Sequence, residues 1–148
     1  MDGSRERLTA LGGELVRVHD WLREDLRRLR EGRERDAGPW TVRCLAFCAA
    51  VTRHHTAEDG VAFPALVERF PDLAPVVAKL VEDHQLIAGV LARVAEIAAA
   101  PEADRGELDG LAAILDSHFA FEERRVAAAL DALTGEPEEV LGVLPPDR

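Results

Sequence analysis

The sequence contains no tyrosine and one methionine, and aromatic residues make up only 5% of its 148 residues. The missing tyrosine excludes a phenolate ligand supplied by the chain itself. Positive charge is also scarce: 18 lysines and arginines stand against 28 acids, a net charge of −10. Nucleic-acid binding needs clustered positive charge, so no phosphate-backbone partner is expected. Most of the arginines, as in "LREDLRRLREGRER", are interleaved with acids and read as a solvated helix face. No apolar run is long enough to span a bilayer, and "GVLARVAEIAAA" is interrupted by charge, so no membrane partner is expected. The opening "MDGSRERLTALGGEL" is charged and lacks the apolar core of a secretory signal, which predicts a cytoplasmic protein. The two cysteines, Cys44 and Cys48, lie four apart on one expected helix and do not form a CxxC pair. Buried free thiols are the expected reading, ahead of a disulfide or a ligand role.

What is present fits one folded domain, with 47% hydrophobic and 31% charged residues. No segment alternates convincingly with period two, whereas long stretches repeat at about 3.6 residues. The pattern predicts an all-α fold: an up-down-up-down four-helix bundle over residues 1–135, with a short C-terminal extension over 136–148. Helix one is expected from about Ser4 to Arg30, with Leu8, Leu11, Leu15, Leu22, Leu26 and Leu29 in one stripe. "DAGP" breaks the chain at 36–39, and Pro39 suits the first turn of helix two. That helix carries Cys44, Phe47, Val51, His54 and Glu58 inward, and Gly60 and Pro64 predict a kink or break near "DGVAFP".

"FPDLAP" opens helix three, with Asp72 as N-cap and Pro75 in the first turn. Its stripe is Val77, Leu80, His84, Ile87, Leu91, Val94 and Ala98. After "APEADRG", helix four turns Leu108, Leu111, Leu115, His118, Glu122, Ala129 and Leu133 inward. The tail "EPEEVLGVLPPDR" adds one short helix and then frays; its apolar "VLGVL" either caps the bundle or meets a second copy. Monomer and homodimer are both open on this reading. Trp21 and Trp40 read as packing residues near the ends or edges.

The chain has five histidines, and four of them fall one to a helix: His19, His54, His84 and His118. At about 1.5 Å per residue, an antiparallel arrangement puts all four in roughly one layer. Two of them carry a glutamate one turn on, His54/Glu58 and His118/Glu122. A single histidine on an apolar stripe is usually a hydrogen-bonded core residue, and an HxxxE pair is often a surface pair. The joint pattern points elsewhere. Burying two carboxylates and four imidazoles in one apolar layer is costly without a compensating cation. Six such ligands are too many for one tetrahedral zinc and too rich in nitrogen for calcium or magnesium. Two ions bridged by the carboxylates use them well, and mixed imidazole and carboxylate ligation suits iron. Three protein residues per ion leave coordination positions open for a small diatomic or peroxide ligand.

The segments "RVHDWL", "HHTAEDGVAFPAL", "LVEDHQLI" and "HFAFEERRV" carry the order H…HxxxE…H…HxxxE, with "FP" soon after the first pair. In this the chain resembles the hemerythrin-like, or HHE, cation-binding domains. The resemblance implies a four-helix bundle and a non-haem di-iron cofactor, two iron ions joined by an oxo or hydroxo bridge. It also implies His19, His54, Glu58, His84, His118 and Glu122 as ligands, with Glu58 and Glu122 bridging. Oxygen-carrying hemerythrins have a second histidine one turn after that on helix three, where this chain has Ala88. They place an aspartate five residues after the last histidine, where this chain has Glu123 beside the better-placed Glu122. Fewer histidines favour a site that reacts with peroxide, dioxygen or nitric oxide over a simple oxygen carrier. Reversible oxygen binding or sensing, iron handling and a biosynthetic oxidase are the alternatives. His55 points about 100° from His54 and reads as an additional ligand, a group orienting a carboxylate, or a half-exposed histidine. Asp59 reads as solvated, or bonded to a neighbouring histidine.

Overall fold

The computed structural model describes residues 10–32, 37–100 and 106–146. The expected helix start at Ser4, Leu8 in its stripe, Asp36 of the "DAGP" break and most of the "APEADRG" joint lie outside these residues. Among the described residues the chain is all-helical, without strands. Its four long helices are α1 (Leu11–Glu31), α2 (Ala37–Ala57), α4 (Ala74–Ala99) and α5 (Glu107–Leu130), and the short ones are α3 (Phe63–Arg69) and α6 (Pro137–Leu141). No described helix is long and apolar enough to cross a membrane.

The stripes bury as leucine-rich faces should. Leu11, Leu15, Leu22, Leu26 and Leu29 of α1 pack with Leu108, Leu111 and Leu115 of α5 in one core. Gly12 lets the two helices meet closely: a Cβ there would lie 2.1 Å from the Ala127 carbonyl oxygen. Its amide donates to Asp131 Oδ1 at 2.9 Å, so α5 caps the start of α1 from the far end of the chain. Partners climb α1 as they descend α5, from Gly12–Asp131 through His19–Glu123 and Arg23–Asp116 to Arg30–Asp109. Thr41–Ala98 and Cys48–Leu91 link α2 to α4 in the same descending order. Trp40 is buried and donates its indole N–H to the Leu29 carbonyl at 2.9 Å. Cys44 and Cys48 form no disulfide; Cys44 is buried and Cys48 half-buried.

Three expectations change. Of the kink or break expected near "DGVAFP", the break does not occur: the irregularity is one π turn, Glu58–Ala62, that runs straight into α3. Pro64 has no N–H for the Gly60 carbonyl and its ring would crowd that oxygen, so the turn widens and Phe63 N–H bonds Glu58 O instead. Asp72 is not the N-cap of α4; it sits inside a 3-10 turn, Pro71–Leu73, and the helix begins at Ala74 without side-chain capping. Val76 of α4 and Val126 and Leu130 of α5 are buried beside the rest of the expected stripes, while Val77, Ala129 and, beyond α5, Leu133 are only half-buried.

The tail is part of this core. Val140, Leu141 and Val143 are buried, and α6 packs on α2 and the π turn.

Candidate metal centre

The π turn sets the geometry of the site. It follows His54 and His55 at the end of α2, so Glu58 enters the core one turn after His54 while Asp59 reaches sideways to α4. His19 comes from α1, His84 from α4, and His118 and Glu122 from α5. All six residues expected from the pattern meet here, and His55 joins them; none of the seven is more than 6% exposed. Two groups bring their ligand atoms within 4.8 Å of one another: His19, His54, Glu58 and Glu122 in one, His55, His84 and His118 in the other.

The two glutamates tie the groups together. Glu58 turns Oε2 to His54 Nε2 at 3.5 Å and Oε1 to His84 Nε2 at 3.4 Å. Glu122 Oε1 lies 3.5 Å from His19 Nε2 and 3.7 Å from His118 Nε2. Glu123, by contrast, stays outside the cluster.

Four of the five imidazoles, those of His19, His54, His84 and His118, have an outer partner that fixes which nitrogen faces in. His54 Nδ1 donates to the Leu141 carbonyl at 2.7 Å, and a carbonyl can only accept. His19 Nδ1 meets Glu123 Oε2 at 2.7 Å, and His84 Nδ1 meets Asp59 Oδ1 at 2.8 Å. His118 Nδ1 faces Asp83 Oδ2 at a longer 3.4 Å. With Nδ1–H committed outward, the Nε2 atoms of these four face the centre, where each can offer a lone pair to a cation.

Arg23 donates to Glu123 at 3.0 Å and lies over Phe119, whose ring stacks on His19 with centroids 3.9 Å apart. Lys79 donates to Asp83 at 2.9 Å. Burial opposes charge on Glu123 and Asp83, but His19 and Arg23 hold the first, and Lys79 and His118 the second, below the usual carboxylate range.

This arrangement is poorly satisfied by protein groups alone. Both oxygens of Glu58, both of Glu122, and Nε2 of His55, His84 and His118 are buried without a hydrogen-bond partner. His19 Nε2 and His54 Nε2 lie 3.2 Å apart, where two lone pairs repel unless a proton or cation sits between them. Burial, then the neighbouring Glu122, push the Glu58 carboxyl well above its ordinary pKa. Burial likewise drives the His54 imidazole down to about 3, with His19 adding to the effect. Burial also opposes charge on His19, yet Glu122 and Glu123 outweigh it and raise that imidazole. So many inward nitrogens and carboxylates in one dry layer fit cations, which would satisfy the orphaned atoms of both groups.

The outer acceptors Asp83, Glu123 and the Leu141 carbonyl were not foreseen from the sequence. Asp83 and Glu123 had a faint signal, each being a carboxylate adjacent to a ligand-position residue. The carbonyl had none.

The long helices thus bring together two buried groups of histidine and carboxylate side chains that could hold metal ions. The model of the hemerythrin HHE cation binding domain matches residues 10–130, and the chain belongs to that family. Neither a curated protein nor a solved structure matches it.

Proposed function

We propose that the chain is a non-haem di-iron protein, an up-down-up-down four-helix bundle whose central site reacts with small oxidants: peroxide, dioxygen or nitric oxide. The observation that carries this reading is the pair of adjacent ligand groups spanned by Glu58 and Glu122, with all four carboxylate oxygens unpartnered. Two adjacent groups sharing two carboxylates suit two ions, and mixed nitrogen and oxygen donors suit iron. His19, His54, Glu58, His84, His118 and Glu122 would hold the pair. Bound iron would supply redox chemistry and open positions for a small ligand. The chain's own part is to orient the imidazoles through Glu123, Leu141, Asp59 and Asp83, and to keep bulk water out. The six residues are at most 5% exposed, which favours reactants of a few atoms. The reading places the protein in the cytoplasm, as a monomer or homodimer, without nucleic-acid or membrane partners.

Metal analysis of purified protein, with its absorption spectrum, tests the proposal. About two irons per chain, with visible bands that bleach on reduction, support it, as does consumption of peroxide or binding of nitric oxide. Zinc alone, or no metal, overturns it. A second reading, a biosynthetic di-iron oxidase, is favoured by one feature: an open pocket of about 580 Å³ beside His118, lined by Leu86, Ile114, Phe121 and Lys79. That volume suits an organic substrate.

A further inference from the structure

We infer that His55, which lies outside the H…HxxxE…H…HxxxE pattern, is a seventh protein ligand and makes the centre unequal, with three imidazoles at one ion and two at the other. The inference rests on the two-ion reading above. His55 is 6% exposed, and its Nε2 is buried without a hydrogen-bond partner. Its ring stacks on that of His84, with centroids 3.7 Å apart and planes within 8°, and meets His118 edge-on at 5.3 Å. The Nε2 atoms of all three are buried and unpartnered. A packed, neutral core histidine would need an acceptor or donor for that nitrogen, and no described side chain offers one. The three ligand atoms lie within 4.8 Å of one another, and one ion satisfies them together once the His55 ring tilts out of its stack on His84 so that both lone pairs converge.

The space for this arrangement comes from α4. Ala88 lies one turn after His84, and its methyl group leaves a pocket of about 200 Å³ against His55 and His84, walled by Thr52, Thr56 and Leu91. A ligand that does not come from position 88 comes instead from α2, on the residue next to His54. His55, His84 and His118 then hold one ion, and His19 and His54 hold the other. Glu58 and Glu122 each face both groups. The ion of His19 and His54 has one protein ligand fewer, so it offers the extra position to an incoming ligand.

The test loads wild type, His55→Ala and His55→Gln with ferrous iron without air. Proton NMR of the diferrous wild type counts exchangeable imidazole N–H signals shifted by the metal, a measurement that needs no variant. Signals from all five histidines are expected. Both variants should bind iron at least about tenfold more weakly. Added imidazole, entering through the pocket at Ala88, should restore His55→Ala and not His55→Gln. Azide titration should find one accessible position in wild type and a second in His55→Ala. Shifted signals from only His19, His54, His84 and His118, with iron affinity unchanged in both variants, overturn the inference while leaving the di-iron reading intact. Wild type that holds no pair of irons overturns both.

Discussion

The imidazoles of His19, His54, His84 and His118 have their two nitrogens assigned to different tasks, and the outer one is where a mutation separates orientation from ligation. Glu123 accepts from His19 Nδ1 at 2.7 Å and from Arg23 at 3.0 Å, yet contributes no atom to either ligand group. In Glu123→Ala, His19 keeps its inward nitrogen but loses the partner that fixes its tautomer and ring angle. Metal affinity should fall about 10- to 100-fold, measured by competition with a chelator, while helicity is unchanged. Glu24→Ala, which removes only exposed pairs to Arg27 and Arg28, is the control. Equal affinity in both variants would show that His19 is held by something else. The inward residues were legible because a ligand must sit on the apolar stripe, where a histidine or glutamate stands out. Asp83, Asp59 and Glu123 were harder to place, because a carboxylate one residue off the stripe looks like any solvated acid until a neighbouring helix is docked beside it.

At the scale of elements, the tail deserves its place in the site through one backbone atom. Leu141 ends α6 and its carbonyl receives His54 Nδ1–H. Gly142 then turns the chain at φ +84°, with its Cα so close to α2 that a Cβ would lie 2.3 Å from the Arg53 carbonyl oxygen. Gly142→Ala combines a left-handed backbone with that collision. It should lower stability by about 1–2 kcal/mol or more, and the melting temperature by roughly 2–4 °C per kcal/mol. It should also weaken metal binding, because α6 must retreat and take the Leu141 carbonyl with it. Gly110→Ala, in the first turn of α5 with open space around it, should leave metal binding unchanged and raise stability by up to about 0.5–1 kcal/mol. Unchanged melting and affinity in Gly142→Ala would mean that α6 is dispensable to the site. Here the sequence was least informative, since a carbonyl acceptor exists at every residue and marks none. Helix existence was readable from the long stripes, but at the π turn the sequence left a kink and a break both open. Gly60 and Pro64 announce that the regular ladder fails without saying whether the chain stops or widens.

For the whole molecule, the centre couples folding, metal and pH. Without a cation, burial disfavours charge on His54, His55 and His118, whose imidazoles are all held below their ordinary value, His54 to about 3. Such groups are protonated more readily in the unfolded chain, so their stabilising effect is complete above about pH 6.5 and is lost as pH falls towards the folded value. Each contributes a slope of about 1.4 kcal/mol per pH unit within its window. Glu58 and His19 shift the other way and hold protons in the folded chain that the unfolded chain has released. Their contribution is complete at low pH and fades as pH rises through their raised values, so they partly offset the imidazoles in acid. Metal reverses the roles of this second pair, because an ion at Glu58 and at His19 Nε2 must displace the protons they hold. Iron affinity should therefore fall as pH falls from 7.5 to 5.5, by about tenfold per pH unit for each proton displaced. Binding saturated a thousandfold above its dissociation constant stabilises by about 4 kcal/mol, so metal-loaded protein should melt roughly 10 °C above stripped protein at pH 7.5. That gap should close towards pH 5.5. Calorimetry of both forms across the range, at fixed free metal, measures it directly. A gap independent of pH would mean that the ion is bound by groups that carry no protons in its absence, and would remove Glu58 and His19 from its ligands.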